Sequence, residues 1–188
     1  MAEIEHGKTL LTQARQAIAS QLGQTTSMAE TPLWLLEPGA TFVTLTQQGQ
    51  LRGCIGSLEA YRPLLEDVRH NAIAAAFHDP RFAPLIFEEL ALTQVEVSLL
   101  SAHEALNFAS EEEALAQLRP GIDGVILQYG HHRSTFLPQV WEQLPAPAQF
   151  MAHLKRKAGL SEQFWADAVK LSRYTVSKWK EKNDHANE

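Results

Sequence analysis

The sequence predicts an α+β fold over residues 1–188, one domain or two intimate halves, with antiparallel strand pairs and helices between them. Three observations lead there. Short runs of alternating apolar and polar residues come in pairs joined by glycine-containing turns, as antiparallel hairpins do. Runs with helical periodicity lie between those pairs instead of following every strand, which argues against a doubly wound parallel sheet. The chain has 188 residues, 45% of them hydrophobic and 20% charged. That is enough to bury a core without disulfides or metals.

The elements follow in order. "KTLLTQARQAIASQLG" sets Leu11, Ala14, Ile18 and Leu22 on one helical stripe, with Gly23 as a stop. Gln24 to Gly39 reads as loop, with "LWLL" packing over a core edge. "ATFVTLTQQGQLRGCIGSLEA" reads as a hairpin turning near Gly49. Pro63 opens a helix whose first turn carries Glu66 and Asp67, where the helix dipole favours anions. Its buried stripe is Leu64, Val68, Ala72 and Ala75, and it ends before Asp79-Pro80 because the residue preceding proline avoids helical geometry.

"LTQVEVSLL" is a strand with Val95, Val97 and Leu99 on one side and Gln94, Glu96 and Ser98 on the other. "SEEEALAQL" is a short helix capped by Ser110. "GVILQYGHHRSTFLP" is a second hairpin, and "PAQFMAHLKRKAGL" a helix stopped at Gly159. "SEQFWADA" reads as a helical turn or two and "VKLSRYTVSKW" as one last strand. Hairpin, helix, strand thus occurs twice, which suggests a duplicated architecture without visible sequence identity. Order is expected over about residues 8–180, with 181–188 a frayed tail.

Composition restricts the function classes. The net charge of −6 disfavours broad affinity for nucleic acid, which depends on cations meeting phosphates. Two local basic runs, "HLKRKAGL" and "GHHRSTF", leave a small anionic ligand open beside the plainer reading of solvated surface. A lone cysteine forms no internal disulfide and fits a reducing compartment. The N-terminus lacks the basic and apolar regions of a signal peptide, and no apolar run approaches the ~20 residues of a membrane span. A cytoplasmic protein without membrane attachment is expected.

The candidate chemistry centres on "LRGCIG". Strand alternation puts Arg52, Cys54 and Gly56 on one face, with Leu51, Gly53 and Ile55 on the other, toward the core. A cation beside a thiol favours the thiolate, and a bare Gly56 would let a substrate approach the main chain. The alternative is a cysteine packed as a small hydrophobe, with the glycines serving tight sheet–helix packing. "HDPRF" offers Asp79 and Arg81 either as an anion clamp or as a structural cap in which they pair and Phe82 plugs the core. Glu96 is either the solvent side of a strand or an acid–base group partnered by Arg52 or Arg81. Asp123, in "GIDGVIL", is explained by turn chemistry, with a binding role left open. His131 and His132 are adjacent and face opposite ways, and no further ligands lie at zinc spacing, so no metal site is expected. Nucleophile-elbow, phosphate-loop and dinucleotide fingerprints are absent.

"LRGCIG", "DPRF", "VEVSLL", "GIDGVIL", "FLPQVW" and "KRKAGL" together resemble the AMMECR-one domain family, whose bacterial and archaeal members are called AmmeMemoRadiSam system protein A. The resemblance runs from about the first helix to the last strand. A threonine commonly follows the signature, where this chain has Ser57. The family implies a single compact α+β domain of two related β-rich halves packed across a groove. It implies neighbours, a Memo-like protein and a radical-SAM protein, as candidate partners in a modification pathway acting on a nucleic-acid base or small molecule. Arg52, Gly53, Cys54 and Gly56 match the signature, as do Asp79, Pro80, Arg81 and Phe82. No reaction or cofactor is implied. Two functions follow: a pathway enzyme with a pocket around Cys54, using Arg52 as cation and Glu96 or Asp79 as acid–base, or a non-catalytic adaptor for those partners.

Overall fold

The computed structural model describes residues 2–25 and 31–182. The chain divides into two compact units, one formed by the chain up to Leu100 and again from Ser177 onward, the other by Ser101–Val176. Both combine helices with antiparallel sheet, so the α+β class holds.

In the first unit, α1 (Ala2–Gln21) ends where Gly23 takes φ +79°, a left-handed conformation that glycine enters at little steric cost. Its buried line is Leu10, Gln13, Ala14 and Ile18, with Leu11 only half-buried. The expected stripe is thus rotated, because α1 packs against both a second helix and a strand. A 3₁₀ turn at Leu33–Leu36 buries Leu35 and leaves Leu33 and Leu36 exposed. Strands β1 (Thr41–Gln47) and β2 (Gln50–Gly56) form the first hairpin. Gln48 and Gly49 both have positive φ, the two-residue turn whose twist matches the strands it joins.

Helix α2 (Leu64–Phe77) starts directly after Pro63, which sits one position earlier than expected, as the cap. Leu64, Val68, Ala72 and Ala75 are buried. A four-residue helix, α3 (Phe87–Leu90), precedes β3 (Thr93–Leu100). Val43 and Leu45 of β1 and Val95 and Val97 of β3 meet Leu10, Ala14, Ile18, Val68 and Ala72 in one apolar cluster, so both long helices cover the same sheet face.

The second unit contains β4 (Glu104–Ala105), α4 (Glu111–Gln117), β5 (Gly124–Tyr129), β6 (His132–Phe136), α5 (Pro147–Lys157) and β7 (Lys170–Tyr174). Ser110 caps α4 by accepting from the Glu113 N–H, and Gly159 at φ +80° ends α5. The core gathers Val125, Leu127 and Leu171 under Phe150, Met151 and Leu154, with Trp141 stacked on Phe150 at 3.8 Å.

Two expectations are corrected near the C-terminus. "SEQFWADA" forms turns without a helix; Phe164 and Trp165 are drawn onto Tyr129 and Phe108 instead, at centroid distances of 4.8 and 5.6 Å. The single last strand is two, β7 and β8 (Val176–Lys180), in different sheets. The break falls at Thr175, whose carbonyl accepts from the Ser101 N–H and whose N–H donates to Ser101 Oγ. The order does not stop at residue 180 either. Glu181 pairs with Arg15, and its carboxylate accepts from the Val95 N–H. Residues 183–188 of the expected tail lie outside the described residues.

The strand orders are β2-β1-β3-β8 and β4-β7-β5-β6. Read from the hairpin outward, each sheet has the same wiring: the hairpin's second strand at the edge, its first strand inside, then the strand that follows the helix, then a fourth from elsewhere. The expected duplication is present as topology. Among the described residues, no helix is long and apolar enough to cross a membrane.

Candidate functional site

Strand β2 is an edge strand, and its register on β1 slips once. Cys54 faces Thr44 and Gly53 faces Leu45, but Thr46 faces Leu51, leaving Arg52 as the extra residue of a β-bulge. The bulge reverses the expected facing of Arg52 and Leu51, while Gly53, Cys54 and Ile55 keep theirs. Cys54 lies on the Thr44 side of the sheet, away from the helices, and Thr44 Oγ1 donates to Cys54 Sγ at 3.3 Å. Arg52 joins the other side: its Nε and Nη2 bind the Glu89 carboxylate of α3 at 3.1 and 3.0 Å. Gln47, which shares the core side of β1 with Val43 and Leu45, also donates to Glu89. Arg52 and Cys54 therefore do not project together, and Leu51, expected in the core, is 43% exposed.

The cation beside Cys54 is Arg81. Asp79 Oδ2 accepts from the Cys54 N–H at 2.9 Å and from Arg81 Nη2 at 2.7 Å. Asp79 Oδ1 accepts from the Arg81 N–H and Nε at 3.1 and 2.9 Å. Arg81 Nη2 also donates to the Cys54 carbonyl at 3.2 Å. Both outward main-chain groups of Cys54 are thus held by one Asp–Arg pair, which closes an otherwise open sheet edge. The Arg81 guanidinium, and after it the two N–H donors, hold the Asp79 carboxyl well below the usual carboxylate range despite burial. Arg81 is raised in turn, chiefly by Asp79 and in smaller part by Cys54. Phe82 does not plug the core; it is half-buried with Arg81 over its ring at 5.5 Å, and Leu85 takes the core position.

Thr44 faces Glu96 on its other flank, so Cys54, Thr44 and Glu96 form one row across three strands. At about 4.8 Å per strand, Cys54 and Glu96 stand about 10 Å apart at their α-carbons. Glu96 is half-buried and pairs with neither candidate cation, because Arg52 is taken by Glu89 and Arg81 by Asp79. A ligand lying over Thr44 could touch both ends of the row.

The glycines are occupied by packing. A Cβ on Gly53 would lie 2.1 Å from the Ala75 carbonyl of α2, so glycine is what lets the helix rest on the sheet. A Cβ on Gly56 would lie 2.2 Å from the Phe42 ring, its cross-strand partner. The expected substrate approach over Gly56 is therefore filled by Phe42.

Sequence reasoning missed a buried polar cluster at the far end of the hairpin. Asp67, which is fully buried, accepts from the Thr41 N–H and Oγ1, both at 2.8 Å, from Ser57 Oγ at 2.7 Å and from Asn71 Nδ2 at 3.0 Å. Arg62 pairs with it at 3.2 Å. The hydroxyl at position 57 is thus a ligand of Asp67. Asp123 has a comparable role in the second unit: fully buried, it is held by Arg119 at 2.6 Å, while its carbonyl accepts from Trp141 Nε1. Lys155, also buried, pairs with Glu111 and donates to the Glu162 carbonyl. His132 Nδ1 contacts the Ala158 carbonyl at 2.8 Å. Among the described residues no three His, Cys, Asp or Glu groups converge as metal ligands.

The residues that form this arrangement fall within a segment with known relatives. The AMMECR1 family model matches residues 11–179. The chain belongs to the AMMECR1 family. A protein of Methanocaldococcus jannaschii is 35% identical over 187 residues, covering 95% of this chain and 91% of its own. One from Methanothermobacter thermautotrophicus is 36% identical over 167 residues, with 87% of each chain covered. The crystal structure of an uncharacterized protein from Pyrococcus horikoshii is similar at TM-score 0.77 and 34% identity, covering 95% of this chain and 92% of its own. The matched segment includes the bulged edge strand and the Asp–Arg clamp that grips it.

Proposed function

We propose that this AMMECR1 protein is a component of a cytoplasmic modification pathway acting on a nucleic-acid base or small molecule, with Cys54 as its reacting group. The observation that supports this most is the fixation of Cys54. Its N–H and C=O are both clamped by Asp79 and Arg81, while Sγ stands on the sheet face away from the core with a Thr44 hydroxyl on it. The clamp also closes the sheet edge, and a reacting thiol gains from the same fixed position and nearby cation. Arg81 supplies the charge first assigned to Arg52. Glu96 is too far to take the thiol proton directly and serves as acid–base toward a ligand lying over Thr44.

The test is alkylation of the native protein by iodoacetamide across about pH 6 to 9, against the same chain unfolded in urea. Faster reaction of native Cys54 below pH 8, slowed by Thr44→Val, supports the reading. Native reaction slower than unfolded at every pH removes it.

A second reading, a docking module for a Memo-like or radical-SAM protein, is favoured by the exposed Leu51, Ile86, Phe87 and Leu92 on and beside α3 and the hairpin. Under it, Cys54→Ser keeps partner binding and Phe87→Asp abolishes it. Co-purification from the native host separates the two readings.

A further inference from the structure

A cleft of about 410 Å³ opens on the second unit, and nothing proposed for Cys54 involves it. Its floor is the outer face of the second sheet. Val125, Leu127 and Leu171 point into the core, so their strand neighbours Ile126, Gln128, Lys170 and Ser172 stand on the opposite side. Ile126 lies across from Ser172, and Gln128 across from Lys170. Phe108 and Asp167 line the cleft beside them. The volume falls at the low end of small-molecule sites.

Several charges of this unit are paired with one another, and the two in this cleft are not. Elsewhere in the unit Arg119 is held by Asp123, Arg173 by Glu104, Lys155 by Glu111 and Arg156 by Glu162. Asp167 and Lys170 make no hydrogen bond or ion pair through their side chains with any described residue. The same is true of the Gln128 amide and the Ser172 hydroxyl. Two opposite charges and two neutral polar groups without partners among the described residues thus share one recess with an aromatic ring and a buried isoleucine.

A lone anion in this recess would meet Asp167, and a lone cation would meet Lys170. A ligand carrying both signs answers both. We propose that the cleft binds a small zwitterion with an apolar side chain, the chemistry shared by a free α-amino acid and a short peptide. Lys170 takes the carboxylate, Asp167 the ammonium, and Phe108 and Ile126 the side chain. Gln128 and Ser172 serve the polar groups between the two charged ends.

Calorimetric titration of the full chain with L-phenylalanine and with L-alanyl-L-phenylalanine tests this. Saturable binding is expected near the millimolar Kd typical of so small a ligand in an open cleft, to about an order of magnitude. Binding of both ligands assigns the free amino acid, and binding of the dipeptide alone assigns the peptide. N-acetylation removes the ammonium and C-terminal amidation the carboxylate, and each should weaken binding roughly tenfold, about 1.4 kcal/mol. Asp167→Asn and Lys170→Gln should do the same, and both positions are exposed, so the fold should tolerate them. The proposal is overturned if neither ligand binds up to about 10 mM, ten times the expected Kd. It is equally overturned if acetylation, amidation and both variants leave the affinity unchanged.

Discussion

Replacing Asp79 should loosen the edge of the first sheet and change how the protein responds to acid. The carboxylate is 4% exposed and accepts the N–H groups of Cys54 and Arg81 as well as the Arg81 guanidinium. The guanidinium side chain is 54% exposed, so solvent screens that partner and nothing is assigned to it. Two backbone N–H bonds to a charged acceptor, at about 1.5 kcal/mol each, put Asp79→Ala about 3 kcal/mol below wild type. Asp79→Asn keeps one acceptor oxygen for Cys54 and should lose about half that. In a chain of this size, 3 kcal/mol corresponds to a fall in Tm of roughly 6–12 °C. Trp34 and Trp179 pack on the first core and Trp141 and Trp165 on the second, so fluorescence-detected urea unfolding reports on both units.

The pH dependence gives a second readout. The folded pKa of Asp79 is depressed, so its stabilisation is present above the ordinary carboxylate pKa of about 3.9 and is lost as pH falls below it. Wild type should lose stability more steeply than Asp79→Asn below about pH 4. A cost under about 0.5 kcal/mol, within the range of ordinary surface substitutions, together with equal acid sensitivity would refute the clamp.

Other substitutions probe independent features. Gly53→Ala drives a methyl into the Ala75 carbonyl, and should cost more than the roughly 1–3 kcal/mol of ordinary overpacking or abolish soluble expression. Asp67→Ala strands the buried Thr41, Ser57 and Asn71 donors and should cost about 3–5 kcal/mol by urea titration. Ser57→Thr, which keeps the hydroxyl, should cost far less than Ser57→Ala in the same titration. Burial raises the Tyr174 phenol above its ordinary pKa of about 10, so stability should fall as pH climbs past 10. Ultraviolet difference titration of wild type against Tyr174→Phe checks it.

Local signals made the hairpins and α2 legible: alternation, a glycine at each turn, and apolar residues at helical spacing after Pro63. The facing of Arg52 was not legible, although that of Cys54 was. One inserted residue leaves the composition of "QLRGCIG" unchanged while sending Arg52 and Cys54 to opposite sides of the sheet. Its partner Glu89 sits on a helix of four residues, too short to show a period. Asp67 carried a sufficient local explanation as a first-turn acid, and only the tertiary meeting of Thr41 and Ser57 shows that it is buried. The division between β7 and β8 left no trace either, since alternation runs on through Thr175 and the switch depends on Ser101. Asp79 and Arg81 were visible as a pair, but their grip on Cys54 joins residues 25 and 27 positions apart.

The position of β8 bears on how the molecule is made. Synthesis delivers α1, the first hairpin and α2 early, yet the flank of β3 stays bare until Val176–Lys180 has left the ribosome. Arg15 waits equally long for Glu181. A nascent chain paused anywhere before Val176 would carry an unfinished sheet with an open border, which chaperones or stray strands could seize. Completion of the first sheet therefore waits until the second unit has been made, and cutting the chain before Val176 would harm the first sheet more than the second.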